Sequence, residues 1–223
     1  MRPAAFLFDM DGLLLDTERM FMRSFLELTG ELGIDAAEAE VFFLSLVGTS
    51  QAVTSARLAR FLPDNVDPAE FEMNWRDTHA RNVAQGVPLR PTARQALELL
   101  SEQGVPMALV TSTAGHHARH HLKAAGIFDH FAVIKGGDEV SANKPDPAPY
   151  REAAEALGVA PADCAAFEDS DLGIASAVAA GCMAYQIPDL RMPHTPLPDL
   201  GQKTADVLLD AVLDSMNVVI EQA

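Results

Sequence analysis

The sequence predicts an α/β protein: a parallel sheet covered by helices on both faces, with a block of helices inserted after the first strand. Three observations predict it. Beyond Gly86, short apolar runs of strand length alternate with helix-length segments, which is the pattern of parallel strands joined by crossover helices. From Glu18 to Gln85 the apolar residues recur at helical spacing, with no strand pattern among them. Finally, each cluster of polar residues follows a strand, and in an open α/β sheet the carboxyl ends of the strands converge on one crevice.

The first strand is Phe6-Leu7-Phe8, which runs into Asp9-Met10-Asp11-Gly12. Residues i and i+2 of an extended chain share a face, so Asp9 and Asp11 can address one ligand. Gly12 lets the chain leave through a conformation that a Cβ would forbid. Asp16-Thr17-Glu18 reads as a helix start with an acidic first turn. The apolar positions that follow (Met20, Phe21, Phe25, Leu28, Leu32, Val41, Phe42, Leu44, Leu46, Val53, Leu58, Phe61 and Leu62) are broken near Gly33, Gly48 and Pro63, giving about four helices. Phe71 and Trp75, at helical spacing, belong to their shared core.

The second part begins with a helix over Pro91–Gln103 and a strand over Val105–Val110 that ends in Thr111-Ser112-Thr113. A helix over His116–Ala125 and a strand over Phe131–Ile134 follow, the latter ending near Gly136-Gly137-Asp138-Glu139. After the Asn143-Lys144-Pro145 loop come a helix over Ala148–Leu157 and a strand over Cys164–Phe167, which ends in Glu168-Asp169-Ser170. A helix over Leu172–Ala180, a strand over Met183–Ile187, a proline-bearing loop and a last helix over Ala205–Met216 complete the chain.

Composition narrows the function. Sixteen basic against 32 acidic residues give a formal charge of −16, which repels nucleic acid and anionic membranes, and no basic run reverses it locally. No apolar run approaches the ~20 residues that span a bilayer, so a cytoplasmic protein is expected. A monomer is expected as well. Cys164 and Cys182 lie beside apolar runs and read as buried free thiols.

The crevice at the strand ends would hold Asp9, Asp11, Thr111, Ser112, Lys144, Glu168 and Asp169. Carboxylates this close are costly unless a cation compensates them. A hard cation such as Mg²⁺ takes oxygen ligands and keeps several waters, so Asp9, the main-chain carbonyl of Asp11, Asp169 and Glu168, direct or through water, suffice to hold it. Lys144, the Thr111 hydroxyl and the Ser112 N–H near a helix start suit a phosphate group.

These motifs, in this order, resemble those of the haloacid dehalogenase-like hydrolases, and specifically their β-phosphoglucomutase-like and phosphoglycolate phosphatase-like branch. The resemblance implies a Rossmann-like core (1–16 and 87–223) with an inserted small α-helical cap (17–86). It also implies a small phosphorylated metabolite as partner, Asp9 as nucleophile forming an aspartyl phosphate, and Asp11 as acid and base. In the cap, Gly48, Thr49, Gln51 and Arg76 are the expected specificity residues. Arg57, Arg60 and Arg81 read as surface charges.

Two departures separate the chain from the mutase pattern. Phe21 stands where the mutase has a histidine, and Gly48-Thr49-Ser50-Gln51 lacks its arginine. Without a second anion clamp, water is the default phosphoryl acceptor, so a phosphatase is preferred over a sugar-phosphate mutase. A phospho-accepting receiver-like signalling module also combines aspartates, a Thr/Ser and a lysine, but it carries its phosphorylated aspartate after a middle strand and has no long helical insertion. The cluster His116, His117, His120 and His121 has a spacing that could hold Zn²⁺, and a solvated helix face is the expectation for it.

Overall fold

The computed structural model describes residues 2–47, 49 and 51–217. By proximity the chain divides into two compact units, one of Met1–Asp16, Pro88–Asp189 and Leu197–Ala223, the other of Thr17–Val87 and Leu190–Pro196.

The first unit is built on six parallel strands: β1 (Ala5–Phe8), β2 (Met107–Val110), β3 (Val133–Lys135), β4 (Cys164–Glu168), β5 (Met183–Gln186) and β6 (Lys203–Thr204). Their order is β3-β2-β1-β4-β5-β6. β1 is central, with Phe6 opposite Met107 on one side and Ala165 on the other. All four residues of β1 and of β2 are buried, which explains why these strands read as continuous apolar runs rather than alternating ones.

Side-chain alternation divides the core between the two faces of the sheet. Ala5 and Leu7 join Ala108, Val110, Ala166, Tyr150, Ala153, Ala154, Ile174 and Ala177 in one cluster. The last five lie on helices α7 (Ala148–Ala156) and α8 (Asp171–Ala180), where the small alanines let the helices approach the strands. On the opposite face Phe8 stacks on Phe167 with ring centroids 5.0 Å apart, and Phe167 stacks on Tyr185 at 5.4 Å. The unit is completed by α5 (Ala93–Glu102), α6 (Gly115–Ala124) and α9 (Leu208–Ser215), with 3₁₀ turns at Phe128–His130 and Pro161–Asp163.

The second unit is helical: α1 (Thr17–Glu31), α2 (Ala36–Leu46), α3 (Gln51–Phe61) and α4 (Pro68–Ala84). Gly33, at φ 76°, makes the turn from α1 toward α2. Asp35 and Asp67 cap α2 and α4 by accepting from the N–H groups of Ala37 and Glu38, and of Ala69 and Glu70. The unit has its own core of Phe25, Phe43, Leu46, Leu58, Phe71 and Trp75. Trp75 is only 1% exposed and donates its indole N–H to the Phe21 carbonyl at 2.9 Å.

Element boundaries move by a few residues from the sequence reading, and two larger differences have physical causes. β6 is two exposed polar residues after a proline-bearing loop, too short for any periodicity. Leu190–Pro196 groups with the helical unit rather than with the sheet, because Leu190 packs against the Phe25–Trp75 core. Val87 groups there too. Cys164 and Cys182 are free thiols, but only Cys164 is fully buried; burial pushes their pKa values up to about 11 and about 12, respectively. No described helix is long and apolar enough to cross a membrane.

The helical core generates a stability prediction. Phe25 is fully buried among five aromatic rings of its own unit, whereas Val41 on α2 is 59% exposed. Phe25→Ala should cost about 3–5 kcal/mol and Val41→Ala no more than about 0.5 kcal/mol in urea unfolding followed by tryptophan fluorescence. Equal effects of the two substitutions would contradict the assigned core.

Candidate active site

Asp9 immediately follows β1, and its N–H donates to the Phe167 carbonyl at 3.0 Å, so the sheet ladder itself fixes where its carboxylate begins. The side chain is nearly inaccessible. Glu168, the last residue of β4, is fully buried. Between the two lies Lys144. Its ammonium donates to Asp9 Oδ1 at 2.5 Å, to Glu168 Oε1 at 2.6 Å and to the Val110 carbonyl at 2.9 Å. Those three bonds commit all three of its protons. Tyr150, buried on α7, adds a hydroxyl donated to Glu168 Oε1 at 2.6 Å, and Ser170 adds another to Oε2 at 3.3 Å. A Cβ on Gly173 would collide with the Glu168 carboxylate, so only glycine fits beneath it.

Asp169 completes the acidic group: Asp9, Glu168 and Asp169 can each offer an oxygen within 4.8 Å of one another. Gly12, at φ 81°, holds the chain open beside them, since a Cβ there would run into Asp169 Oδ2 and lie 3.5 Å from Asp189 Oδ2. The Asp189 side chain is 2% exposed and bonds Arg90 at 3.1 Å; Arg90 also lies 3.6 Å from Asp16.

Burial pushes the Asp9 pKa well above the usual carboxylate range; Lys144 opposes this, while the negative charges of Glu168 and Asp11 reinforce it. Burial alone would lower Lys144, but Asp9 and Glu168 outweigh it and raise its pKa. The lysine is therefore held as a cation, and the electrostatic cost of the cluster falls on Asp9. One ammonium against three carboxylates leaves an all-oxygen donor set short of positive charge. That is the chemistry a hard divalent cation satisfies, and such an ion would draw the Asp9 pKa back down.

The Asp11 carboxyl stands apart from these three. Its Oδ2 accepts from the Thr113 hydroxyl at 2.7 Å and, more weakly, from Thr111 at 3.4 Å. Thr111 is buried, and its oxygen also accepts the Thr113 N–H at 3.1 Å. Ser112 is exposed. The helix expected close behind it begins at Gly115, whose N–H is taken by Asp138 at 2.7 Å.

In the helical unit, Thr49, Gln51 and Arg76 line one cavity of about 300 Å³ together with Glu18, Phe21 and Thr54. Phe21 stacks on Trp75 with centroids 4.1 Å apart. Arg76 is already bonded to Glu72 at 2.7 Å, and Ser55 donates to the same carboxylate at 2.6 Å. Gly48 lies outside the described residues. Arg57 and Arg81 bond Ser45 and Thr78 within the unit. Among the histidines of α6, His116, His117 and His120 are exposed, and no metal-ligating group among the described residues includes them. His121 departs from the solvated face expected of the four: it is half-buried, and burial lowers its pKa, with Asp11 opposing.

Sequence reasoning overlooks Thr113, Tyr150, Arg90 and Asp189. A signal exists for two of them. Thr113 sits in the same strand-end cluster as Thr111, and Asp189 follows β5 just as the other acidic residues follow their strands. Tyr150 reads as an ordinary apolar-face residue, and Arg90 as part of a linker.

Comparisons with known proteins show which family the chain resembles. The sequence profile of the haloacid dehalogenase-like hydrolases matches residues 6–187. Hexitol phosphatase A of Escherichia coli (strain K12) is 32% identical over 182 residues, 82% of each chain. A phosphorylated carbohydrates phosphatase of Thermotoga maritima is 29% identical over 177 residues, 79% of this chain and 81% of its own. The crystal structure of a HAD family hydrolase from Deinococcus radiodurans R1, with bound phosphate and sodium, superposes with a TM-score of 0.76 at 26% identity and covers 96% of both chains. With the profile spanning both the acidic strand ends and the helical insertion, the chain belongs to the haloacid dehalogenase-like hydrolase family.

Proposed function

We propose that the protein is a Mg²⁺-dependent phosphatase that hydrolyses a small sugar or polyol phosphate through an aspartyl phosphate on Asp9. The observation that carries the reading is the acidic group of Asp9, Glu168 and Asp169, the first two of them buried and bonded to one lysine. The names of the two relatives, a hexitol phosphatase and a phosphorylated carbohydrates phosphatase, support the substrate class. When bound, Mg²⁺ would be held by Asp9, Glu168, Asp169 and the Asp11 carbonyl, and would neutralise phosphoryl oxygens.

In this reading the Asp9 carboxylate attacks phosphorus, and the bond from phosphorus to the ester oxygen breaks. Asp11 gives its proton to the departing alkoxide. It then takes a proton from the water that cleaves the aspartyl phosphate, which releases inorganic phosphate and restores Asp9. The two carboxyls have separate tasks because their surroundings differ: Asp9 is bound to Lys144, and Asp11 to neutral hydroxyls. Ser112 contributes donors to the phosphoryl oxygens, and Thr111 joins it by exchanging its long 3.4 Å hydroxyl bond to Asp11 for one to phosphate. Lys144, with its protons committed, acts on the phosphoryl group mainly as a fixed positive charge.

The helical unit is assigned the role of a cap that selects the leaving group. Its cavity has an aromatic floor of Phe21 and Trp75, hydroxyl and amide groups from Thr49, Thr54 and Gln51, and an arginine already neutralised by Glu72. That lining suits a neutral hydroxylated body and, among the described residues, offers no clamp for a second phosphate, which disfavours the mutase alternative.

Two outcomes test the reading. Asp9→Asn should abolish release of phosphate from an aryl phosphate, and chelation of Mg²⁺ from the native enzyme should do the same, reversibly on re-addition; substantial turnover in either case contradicts it. For the cap, Gln51→Ala and Thr49→Val should reorder kcat/KM among hexitol, hexose and glycolate phosphates while changing aryl phosphate hydrolysis little. Equal loss across all esters would remove the cap from specificity.

A further inference from the structure

We infer that Thr113 is a positioning residue that sets which oxygen of Asp11 exchanges the proton with the leaving group, an inference that rests on the acid and base role proposed for Asp11. The Thr113 hydroxyl donates to Asp11 Oδ2 at 2.7 Å, the shorter of the two hydroxyl contacts that this oxygen accepts. A hydroxyl donated to one carboxyl oxygen holds that oxygen as an acceptor whether the group is ionised or carries its proton on the other oxygen. With Oδ2 occupied as an acceptor, the exchangeable proton resides on Oδ1. The carboxyl then has one anchored oxygen and one working oxygen, instead of two equivalent ones on a freely turning group.

The anchor is itself braced from behind. The Thr113 N–H is held by Thr111 Oγ1 at 3.1 Å, and its carbonyl accepts the Gly137 N–H at 3.0 Å. Gly136 and Gly137 press against this turn so closely that a Cβ on Gly136 would strike the Gly115 backbone, and one on Gly137 the Ser112 carbonyl. Asp138 takes the Gly115 N–H at 2.7 Å. Glu139 accepts the Gly136 N–H at 3.1 Å and pairs with Arg119 at 2.8 Å. The Gly-Gly-Asp-Glu loop after β3, which the phosphatase chemistry does not otherwise use, thus fixes the turn that presents Thr113. An exposed threonine with no brace would lose rotamer freedom on anchoring Asp11; here that cost is met in folding.

The test is the dependence of kcat/KM on leaving-group pKa, measured from dinitrophenyl phosphate through nitrophenyl phosphate to an alkyl phosphate. kcat/KM isolates the steps up to alkoxide departure, where the acid acts, and good leaving groups need little proton donation. Thr113→Val, close in shape but without the hydroxyl, should lose on the order of tenfold with the alkyl ester and almost nothing with dinitrophenyl phosphate. Thr113→Ser should restore the native dependence. Unfolding midpoints check that both variants fold. A uniform loss across the series, or failure of serine to rescue, overturns the inference. Asp11→Asn is run alongside and should show the same leaving-group trend with larger amplitude, on the order of 10²–10⁴ for the alkyl ester. If Asp11→Asn shows the trend and Thr113→Val does not, the positioning role alone fails; if Asp11→Asn is flat, the acid assignment fails and takes the inference with it.

Discussion

The ammonium of Lys144, buried between Asp9 and Glu168, is the interaction on which the rest of the site depends. Two carboxylates at the ends of adjacent central strands lie close because β1 and β4 pair in register, Phe8 opposite Phe167, and neither is solvated. Leaving such a charge without its partner costs about 3–5 kcal/mol. The sequence answers with one lysine from a loop after β3, bonded to both carboxylates, and with hydroxyls from Tyr150 and Ser170 on Glu168. The compensation is incomplete by design of the donor set. It leaves room in the charge balance for a divalent cation, and in the proposed function such an ion would join metal and substrate binding at the same few atoms.

A second constraint is close approach. Gly12, Gly173, Gly136 and Gly137 are each placed where a methyl group would meet Asp169, Glu168, Gly115 or Ser112. The acidic cluster and the turn bearing Thr111 and Thr113 are thus shaped as much by absent side chains as by present ones. Gly12 also needs its left-handed backbone, which turns the chain away from β1 directly after the two aspartates.

Much of this was legible in the sequence, for reasons specific to the residues. Parallel strands buried on both faces read as unbroken apolar runs, so β1, β2 and β4 stand out, and the residues that follow them are the ones the topology gathers. The helical insertion is legible because Met20, Phe21, Phe25, Leu28 and Leu32, and later Phe71 and Trp75, recur at helical spacing. β6 is not, being two exposed polar residues that pair only because β5 is already in place. Nor is the grouping of Leu190–Pro196 with the helices, which depends on where one leucine packs more than a hundred residues from most of its neighbours. Tyr150 and Thr113 escape for a shared reason. Each satisfies a local pattern, helix face or strand-end turn, and its chemical partner lies at a sequence distance that no local pattern encodes.

The central claim is that the phosphoryl group passes through Asp9. Its most direct measurement is a rapid acid quench of the native protein with Mg²⁺ and a phosphate ester labelled at phosphorus, followed by borohydride reduction and peptide mass analysis. The account predicts label bound during turnover, lost on mild base treatment, and a reduced residue at Asp9. Labelled phosphate released with no trapped adduct, or an adduct mapped to any other residue, would contradict it.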